Sequence, residues 1–494
     1  MSGEEDPLAH SPLQRREAGI LLHPTSLPGS GPNGELGEAA FRFVDFLVEA
    51  GQRIWQILPL GPTHEDGSPY QCFSAHAGNP ALIDLGQLVA EGWLERVPGK
   101  GPRSRVLAKA RAGFEERADK GAREAFETFC TDNADWLEDF ALYMVLKDRY
   151  EGRAWSDWPA PARDREPAFL EKTRKEEAAA LQQVRFEQFV FYRQWHAVKG
   201  YANEHGIRIF GDLPIFVAHD SVDVWARREY FLLDAQGVPE VVAGVPPDYF
   251  SETGQRWGNP HYDWERMAAD DFAWWQERLR GQLRLFDLVR IDHFRGFEAS
   301  WHVPVEEETA INGHWVKAPG DHLFRVLHEQ FDPLPIVAED LGTIDAEVRA
   351  LRHRFALPGM IILQFAFDGG PSNPYLPHQH TANAVVYTGT HDNDTTVGWH
   401  AGLPEATRDY VQEYLGPSDE AMPWPLVRAA YRSVARLAVV PLQDLLGLGS
   451  ESRMNQPGTT EGNWGWRFDW DEVPDELAAR VRRMTEIYGR LGEA

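Results

Sequence analysis

The sequence predicts an α/β protein whose core is a closed (β/α)8 barrel of the TIM class, with insertions between its strands. Three observations lead to this fold class. Eight short apolar runs are spread over the 494 residues, amphipathic helical patterns lie between several of them, and four of the runs end in charged side chains. Short apolar runs without alternation are typical of parallel strands buried on both faces. Strands that alternate with helices imply a parallel sheet, and eight of them imply a barrel.

The predicted strands are apolar runs bounded by polar or turn-forming residues. In chain order they are residues 19–23, 54–60, 207–216, 288–294, 335–340, 360–365, 384–390 and 437–442. Amphipathic helical patterns at 38–50, 345–355 and 408–415 follow the first, fifth and seventh strands. We expect the chemistry of such a barrel at the C-terminal ends of its strands.

The ends of the chain and its cysteines indicate the cellular compartment. Residues 1–18 carry charges of both signs and no apolar run, so we expect a flexible tail and no secretory signal. A run of about 18 apolar residues, as a membrane span requires, does not follow. Cys72 and Cys130 are too few for a disulfide framework in a chain of this length. The protein is therefore predicted to be cytoplasmic, with reduced thiols.

Two intervals between predicted strands are too long to be simple connections. Residues 61–205 contain charged, helix-prone stretches and are predicted to form a mostly helical insertion. Residues 217–275 contain the segment 244–259, in which glycines and prolines flank aromatic and amide side chains. Ordering bare backbone costs about 1–2 kcal/mol per residue, so a segment this rich in side chains predicts an ordered loop that lines the active site. The catalytic barrel is expected to span residues 19–494.

Composition excludes some partners and favours others. A net charge of −27 leaves no surplus of Lys and Arg to displace counterions from a phosphate backbone, so nucleic acid is excluded as a partner. Aromatic residues are plentiful, with 18 Trp, 14 Tyr and 26 Phe. Trp and Tyr present flat apolar faces with a polar tip, which suits sugar rings.

The fourth predicted strand places two charges inside an apolar run. Arg290 and Asp292 are two positions apart and point to the same face of a strand. A buried carboxylate must be paired or it takes up a proton. The permanently charged Arg290 would hold Asp292 ionised, as a nucleophilic carboxylate must be. From this fragment alone, a purely structural ion pair is the alternative.

Charged or amide side chains recur at the ends of four predicted strands. They are Asp212 in the third strand, Arg290, Asp292 and His293 in the fourth, Glu339 and Asp340 in the fifth, and His391, Asp392, Asn393 and Asp394 in the seventh. Any one of them is compatible with a helix cap, and for Asp340, Asn393 and Asp394 a capping or supporting role is favoured. Carboxylates at one rim of one barrel repel each other unless they share a substrate or pair with the basic residues. The alternative for the whole set is a structural charge network.

Two carboxyl groups that face one pocket, one ionised and one protonated, are what cleavage of a glycosidic bond requires. Asp292 beside Arg290 is the ionised one. Glu339 follows an apolar run without a basic neighbour, so burial is expected to raise its pKa for a general acid. Asp392 beside His391 is expected to bind substrate hydroxyls and distort the sugar ring.

Motifs along the chain carry a family resemblance. They lie at 23–28 (HPTSLP), 55–62 (WQILPLGP), 68–71 (SPYQ), 245–251 (VPPDYFS), 290–296 (RIDHFRG), 338–342 (AEDLG), 390–395 (THDNDT) and 462–464 (GNW). With these motifs the chain resembles the amylomaltase (disproportionating enzyme) family of 4-α-glucanotransferases, in the α-amylase clan. The resemblance implies a barrel without the C-terminal β-domain of amylases. It assigns Asp292 as nucleophile, Glu339 as acid/base and Asp392 as transition-state stabiliser. It places Asp212, Arg290 and His391 at supporting positions, and Tyr70, Asp248, Gln255, Trp257, His293 and Asn463 at glucan contacts.

The resemblance implies transfer of α-1,4-glucan segments between maltooligosaccharides, with no cofactor and no metal. An α-amylase-like hydrolase is the first alternative, because it shares the carboxylates and differs only in what attacks the glycosyl-enzyme. A sugar-binding barrel without catalysis is the second, and the intact set Asp292, Glu339 and Asp392 argues against it. A calcium site at 391–394 is weakly supported, since the sequence does not supply a full oxygen shell there.

Overall fold

The computed structural model describes residues 8, 10–29, 31–99, 101–247 and 251–491. Among these residues twelve strands are formed: β1 Glu17–Leu21, β2 Ile54–Gln56, β3 Arg208–Pro214, β4 Val241–Val245, β5 Gln255–Pro260, β6 Leu288–Asp292, β7 Ala299–Pro304, β8 His314–Lys317, β9 Ile336–Ala338, β10 Gly359–Ile362, β11 Ala384–Tyr387 and β12 Leu437–Pro441.

The α-helices of the described residues are α1 Glu38–Glu49, α2 Leu85–Ala90, α3 Arg103–Arg117, α4 Lys120–Asp132, α5 Ala134–Arg149, α6 Ala160–Arg163, α7 Pro167–Glu176, α8 Ala178–Glu204, α9 Val222–Ala226, α10 Trp264–Ala268, α11 Ala273–Leu285, α12 Gly320–Gln330, α13 Ala346–Arg354, α14 Thr396–Gly402, α15 Glu405–Leu415, α16 Trp424–Arg432, α17 Leu442–Leu445 and α18 Leu477–Ile487.

Eight parallel strands form the barrel, in the order β10-β11-β12-β1-β2-β3-β6-β9. They are the eight strands that the sequence predicts, which confirms the barrel. The two strands at the ends of this order meet at a seam. There the Ala338 amide donates to the Pro358 carbonyl oxygen at 2.8 Å, and the Asp340 carboxylate accepts the Met360 amide at 2.9 Å. These contacts bring β9 against β10 and close the barrel.

Side chains alternate across the barrel wall. In β6, Leu288 packs in the barrel interior, whereas Val289 and Ile291 pack against the surrounding helices. The same period directs Arg290 and Asp292 inward. Leu13 is also buried in the interior cluster, and β1 begins at Glu17. The described part of segment 1–18, which was expected to be a flexible tail, thus packs on the barrel before residue 19.

The insertion between β2 and β3 holds the helices α2 to α8. The longest of them, α8, has 27 residues and leads directly into β3. By contrast, the connection from β10 to β11, all of which is described, consists of turns and 3-10 segments without an α-helix. The barrel therefore departs from strict alternation there.

A four-stranded antiparallel sheet, in the order β5-β4-β7-β8, stands beside the barrel and was not predicted. The segment 244–259, expected to be a loop, begins in β4, which ends at Val245, and finishes in β5, which begins at Gln255; its described residues between the two strands form no strand. Val241 to Val245 form an extended, largely apolar run, and Pro246, Pro247 and Gly254 lie between the two strands. β8 escaped prediction because its four residues, His314 to Lys317, are mostly exposed and have no apolar alternation.

Beyond β12, the described residues form helices and turns but no strand. This agrees with the expected lack of a β-domain in that stretch. A helix long and apolar enough to span a bilayer does not occur in the parts of the chain that the structure describes.

Candidate active site

Strand register brings the predicted carboxylates to one rim. Asp212 on β3 lies opposite Arg290 on β6, and Ile291 on β6 lies opposite Ala338 on β9. One residue further along, Asp292 and Glu339 are therefore neighbours where β6 and β9 end. This is the C-terminal end of the barrel, where barrel enzymes place their chemistry.

Arg290 holds two carboxylates. Its Nη1 donates to Asp212 Oδ2 at 2.7 Å, and its Nη2 donates to Asp292 Oδ1 at 2.8 Å. The side chains of Arg290 and Asp212 are 5% and 0% exposed, whereas that of Asp292 is 32% exposed. The predicted pairing of Arg290 with Asp292 is thus confirmed. Asp212, which is fully buried, holds the Arg290 guanidinium group in place. Asp292 remains partly exposed to solvent.

Glu339 has a different environment, made of main-chain amides. Its Oε2 accepts the amide of His293 at 2.6 Å, and its Oε1 accepts the amide of Leu341 at 2.8 Å. The pKa of Glu339 is raised to about 7, chiefly by burial; Arg290 and the two amides lower it, and the charge of Asp292 adds to the rise. The direction of this shift is the one expected from the sequence, a pKa raised by burial.

Burial raises the pKa of Asp292 as well, and Arg290 is the main opposing influence. Only Asp292 of the two receives a hydrogen bond from the guanidinium group. A charge-assisted hydrogen bond stabilises the ionised form. The guanidinium contact therefore favours ionisation of Asp292 relative to Glu339.

His293 joins these two carboxyls. It follows Asp292 directly and donates its amide to Glu339 from a backbone with φ of 56°, in the left-handed region that side chains rarely adopt. Burial lowers the pKa of its imidazole to about 3, so the ring is neutral. Its Nε2 is buried without a hydrogen-bond partner among the described residues. The ring meets Trp257 edge to face, with 4.8 Å between centroids.

Asp392 lies beyond β11 and is held by its neighbours. Its Oδ1 contacts His391 Nε2 at 3.2 Å and accepts Asn455 Nδ2 at 2.7 Å. Arg453 Nη2 donates to its main-chain carbonyl oxygen at 3.1 Å. The Asp392 side chain is 42% exposed and can meet a ligand in the cleft.

Tyr70 contacts both Asp212, on β3, and His391, beyond β11. Its hydroxyl donates to Asp212 Oδ2 at 2.8 Å, and its ring stacks on His391 with 5.2 Å between centroids and 13° between planes. Burial raises the pKa of Tyr70 well above its usual range, so the hydroxyl remains a donor. Trp464 lies 6.0 Å from both rings. These aromatic rings border the group of carboxylates.

Two of the other predicted contacts, Gln255 and Trp257, lie on β5, and Asn463 lies on a loop. Gln255 Oε1 accepts the indole N–H of Trp257 at 3.1 Å. Asn463 lies beside Trp464, and its Oδ1 accepts the Gln456 amide at 2.9 Å. Asp248 lies outside the described residues, so its prediction is untested.

Asp340, Asn393 and Asp394 make structural contacts, as favoured from the sequence. Asp340 Oδ2 pairs with Arg352 Nε at 3.0 Å, Asn393 Oδ1 accepts the Thr390 amide at 2.8 Å, and Asp394 Oδ2 accepts the Ser450 hydroxyl at 2.8 Å. A group of three or more His, Cys, Asp or Glu arranged to hold a metal ion is not found among the described residues.

Asn455, Arg453 and Trp464 are the neighbours of the site that sequence reasoning missed. They come from the loop that follows β12, so the strand-end pattern that revealed the carboxylates does not include them. The only sequence signal close to them is the Gly-Asn-Trp motif at 462–464, in which Asn463 was singled out.

Comparisons with known proteins agree over almost the whole chain. The family profile described as 4-alpha-glucanotransferase matches residues 22–472. A 4-alpha-glucanotransferase of Thermus thermophilus is 51% identical, over 96% of this chain and 99% of its own length. One from Synechocystis sp. is 50% identical, over 97% and 99%.

Solved structures give the same picture. An amylomaltase from Streptococcus agalactiae, in complex with acarbose, superposes with a TM-score of 0.93 at 37% identity, over 96% of this chain and 100% of its own. An amylomaltase from Corynebacterium glutamicum, at 18% identity, superposes with a TM-score of 0.75 over 96% and 76%, which supports the fold alone.

Proposed function

Because the chain belongs to the 4-alpha-glucanotransferase family, we propose that Asp292, Glu339 and Asp392 carry out its glucan transfer by double displacement. The activity itself moves an α-1,4-glucan segment from a donor to the 4-hydroxyl group of an acceptor. The observation that carries the residue roles is the contrast between the two carboxyls at the rim. Asp292 accepts from Arg290 at 2.8 Å, while burial raises the pKa of Glu339 to about 7.

The first displacement forms a covalent intermediate. The ionised Asp292 attacks the anomeric carbon of the donor, and the bond from that carbon to the glycosidic oxygen breaks. Glu339 gives its proton to the departing oxygen, so the shortened glucan leaves as an alcohol. The glycosyl ester on Asp292 and the carboxylate of Glu339 remain.

The second displacement reverses these roles. Glu339, now ionised, takes the proton from the 4-hydroxyl group of the acceptor, whose oxygen attacks the anomeric carbon. The ester bond breaks, Asp292 is released as a carboxylate, and the new α-1,4 bond keeps the configuration of the old one. Two inversions give net retention without an external reactant.

The surrounding residues are proposed to hold the donor sugar. Asp392 and His391 would bind hydroxyl groups of the reacting ring, and Asp212 with Arg290 would keep Asp292 in place. Glucan contacts are further proposed for Tyr70, Asp248, Gln255, Trp257, His293 and Asn463. The substrates are α-1,4-glucans and maltooligosaccharides, a proposal supported by acarbose in the structure of the Streptococcus agalactiae relative.

The β4–β5 hairpin supports transfer over hydrolysis. It carries Trp257, whose ring lies 4.8 Å, centroid to centroid, from the ring of His293, the residue that follows Asp292. A bound acceptor next to the glycosyl-enzyme has a high effective concentration relative to water. An α-amylase-like hydrolase with the same carboxylates remains the competing function.

We further propose that residues 19–494 act as one catalytic barrel that carries the two insertions, 61–205 and 217–275. A cytoplasmic location is also proposed. It is supported by Cys72 and Cys130, which are both unpaired thiols.

Incubation with maltotriose tests the function. Transfer converts maltotriose into longer oligosaccharides and free glucose, whereas hydrolysis gives glucose and maltose in equal amounts. We expect maltopentaose and glucose as early products. Equal glucose and maltose without longer products would show a hydrolase.

A further inference from the structure

We propose that Asn455 is a positioning residue that fixes the Asp392 carboxylate for glucan transfer, an inference that rests on the role proposed above for Asp392. The amide Nδ2 of Asn455 donates to Asp392 Oδ1 at 2.7 Å. A carboxylate oxygen only accepts, so the amide has to present its nitrogen there. The contact therefore has one direction, from the amide nitrogen of Asn455 to the carboxylate oxygen of Asp392.

The residues around Asn455 also hydrogen-bond the main chain of His391 and Asp392. The main-chain amide of Asn455 donates to the His391 carbonyl oxygen at 3.1 Å. Arg453 Nη2 donates to the Asp392 carbonyl oxygen at 3.1 Å and to the Asn455 carbonyl oxygen at 3.3 Å. The segment 453–455 thus holds residues 391 and 392 by main chain and side chain together.

These contacts leave one carboxylate oxygen for the sugar. Asn455 Nδ2 and His391 Nε2 both approach Oδ1 of Asp392. The Asp392 side chain is 42% exposed on a loop beyond the end of β11. A group that must meet sugar hydroxyls is effective only in a narrow range of positions. Asn455 supplies the restraint that Arg290 supplies for Asp292.

The same loop carries residues proposed to contact glucan. The Gln456 amide, next to Asn455, donates to Asn463 Oδ1 at 2.9 Å, and the Trp464 amide donates to the Met454 carbonyl oxygen at 2.7 Å. The residues that hold Asp392 and those that border the cleft are therefore parts of one hydrogen-bonded loop.

The first test is Asn455→Ala in the full chain. Loss of a hydrogen bond to a charged group lowers kcat for maltotriose by about 10- to 100-fold. KM is expected to change by less than about threefold, because the contact matters most when charge develops on the sugar. Asn455→Asp, which keeps the shape but replaces the donor with a like charge, should be at least as impaired. Unchanged kcat in both variants would overturn the proposal.

Asn312→Ala is the matched control. Asn312 Nδ2 also donates to a carboxylate, Glu307 Oε2 at 3.1 Å, but on an exposed turn between β7 and β8. Its removal deletes the same kind of hydrogen bond and should leave kcat and KM unchanged. A similar loss of kcat in Asn312→Ala would mean that the Asn455 effect reflects general destabilisation.

A double-mutant cycle separates positioning from a structural role. Rates with α-maltosyl fluoride keep impaired variants measurable, because fluoride leaves without a proton. Asn455→Ala should lower this rate about tenfold in otherwise unchanged protein, and by less than about twofold in Asp392→Ala. Equal factors in both backgrounds would overturn the inference, since Asn455 would then act elsewhere. If Asp392→Ala itself kept normal activity with maltotriose, the role proposed for Asp392 would fail instead.

Discussion

Asp292 and Glu339 are neighbours on adjacent strands, yet the barrel gives them opposite environments. Asp292 accepts a hydrogen bond from the Arg290 guanidinium group at 2.8 Å. Glu339 accepts main-chain amides, from His293 at 2.6 Å and Leu341 at 2.8 Å. Amides orient a carboxyl group but bring no net charge, so burial dominates and raises the pKa of Glu339 to about 7. Arg290 lies on β6, the strand that ends at Asp292, and its guanidinium group therefore favours the proton on Glu339 over Asp292.

Replacing Asp292 is expected to cause the largest loss of activity. Asp292→Asn keeps the shape and the contact distance to Arg290 but cannot form the glycosyl ester. We expect kcat for maltotriose to fall by about 10⁴-fold or more, with the thermal unfolding midpoint little changed.

Asp419→Asn, in the exposed connection between α15 and α16, is its control and should keep full activity. More than trace transfer by Asp292→Asn in a contamination-free preparation would contradict the nucleophile assignment.

Replacing Glu339 should impair the reaction with maltotriose more than the first step with α-maltosyl fluoride. Glu339→Gln loses the proton donor, so kcat for maltotriose should fall by about 10³-fold. The first step with α-maltosyl fluoride should survive, since that leaving group needs little acid assistance. Mass spectrometry should then detect a maltosyl-enzyme that accumulates. An equal loss with both donors would instead make Glu339 a structural residue.

The pH dependence of kcat/KM tests the protonation state of Glu339. In the proposed mechanism the first step requires protonated Glu339, whose pKa is raised to about 7. Activity should therefore fall as pH rises through about 7, approaching tenfold per pH unit, because the proton is lost above that value. In Glu339→Gln the residual fluoride activity should lack this alkaline limb. Persistence of the limb would assign it to another group.

The smallest expected effect lies outside the carboxyl pair. Trp257→Ala removes an aromatic face that meets His293 at 4.8 Å. One lost stacking contact with an acceptor sugar is worth about 0.5–1.5 kcal/mol, so the ratio of hydrolysis to transfer should rise roughly two- to tenfold. Product ratios from maltotriose measure this change.

Trp315→Ala, which removes an exposed indole from β8 of the same sheet, should leave the ratio unchanged. If Trp257→Ala lowers both reactions by one factor, the hairpin supports the site without favouring an acceptor.

Sequence reasoning found the features that follow from strand patterns and missed contacts between loops and short irregular strands. The barrel strands, the pairing of Arg290 with Asp292 and the raised pKa of Glu339 follow from patterns within a few residues. The contact between Asn455 and Asp392 joins residues 63 positions apart, so no local pattern reveals it. The β4–β5 hairpin was taken for a loop because glycines and prolines outweighed its short extended runs. The burial of Leu13 inside the barrel depends on tertiary packing, which its charged surroundings hide.

The seam of the barrel has a consequence for its motions. The Ala338 amide, which donates across the seam to Pro358 at 2.8 Å, comes directly before Glu339. A backbone hydrogen exchanges with deuterium only when its hydrogen bond opens. Exchange at this single amide therefore reports how often the hydrogen bond between β9 and β10 opens beside Glu339. A glucan bound between Asp292 and Glu339 would contact the ends of β6 and β9 but not the seam. Comparing deuterium exchange with and without glucan would show whether the bound sugar also slows opening of the hydrogen bond on the other edge of β9.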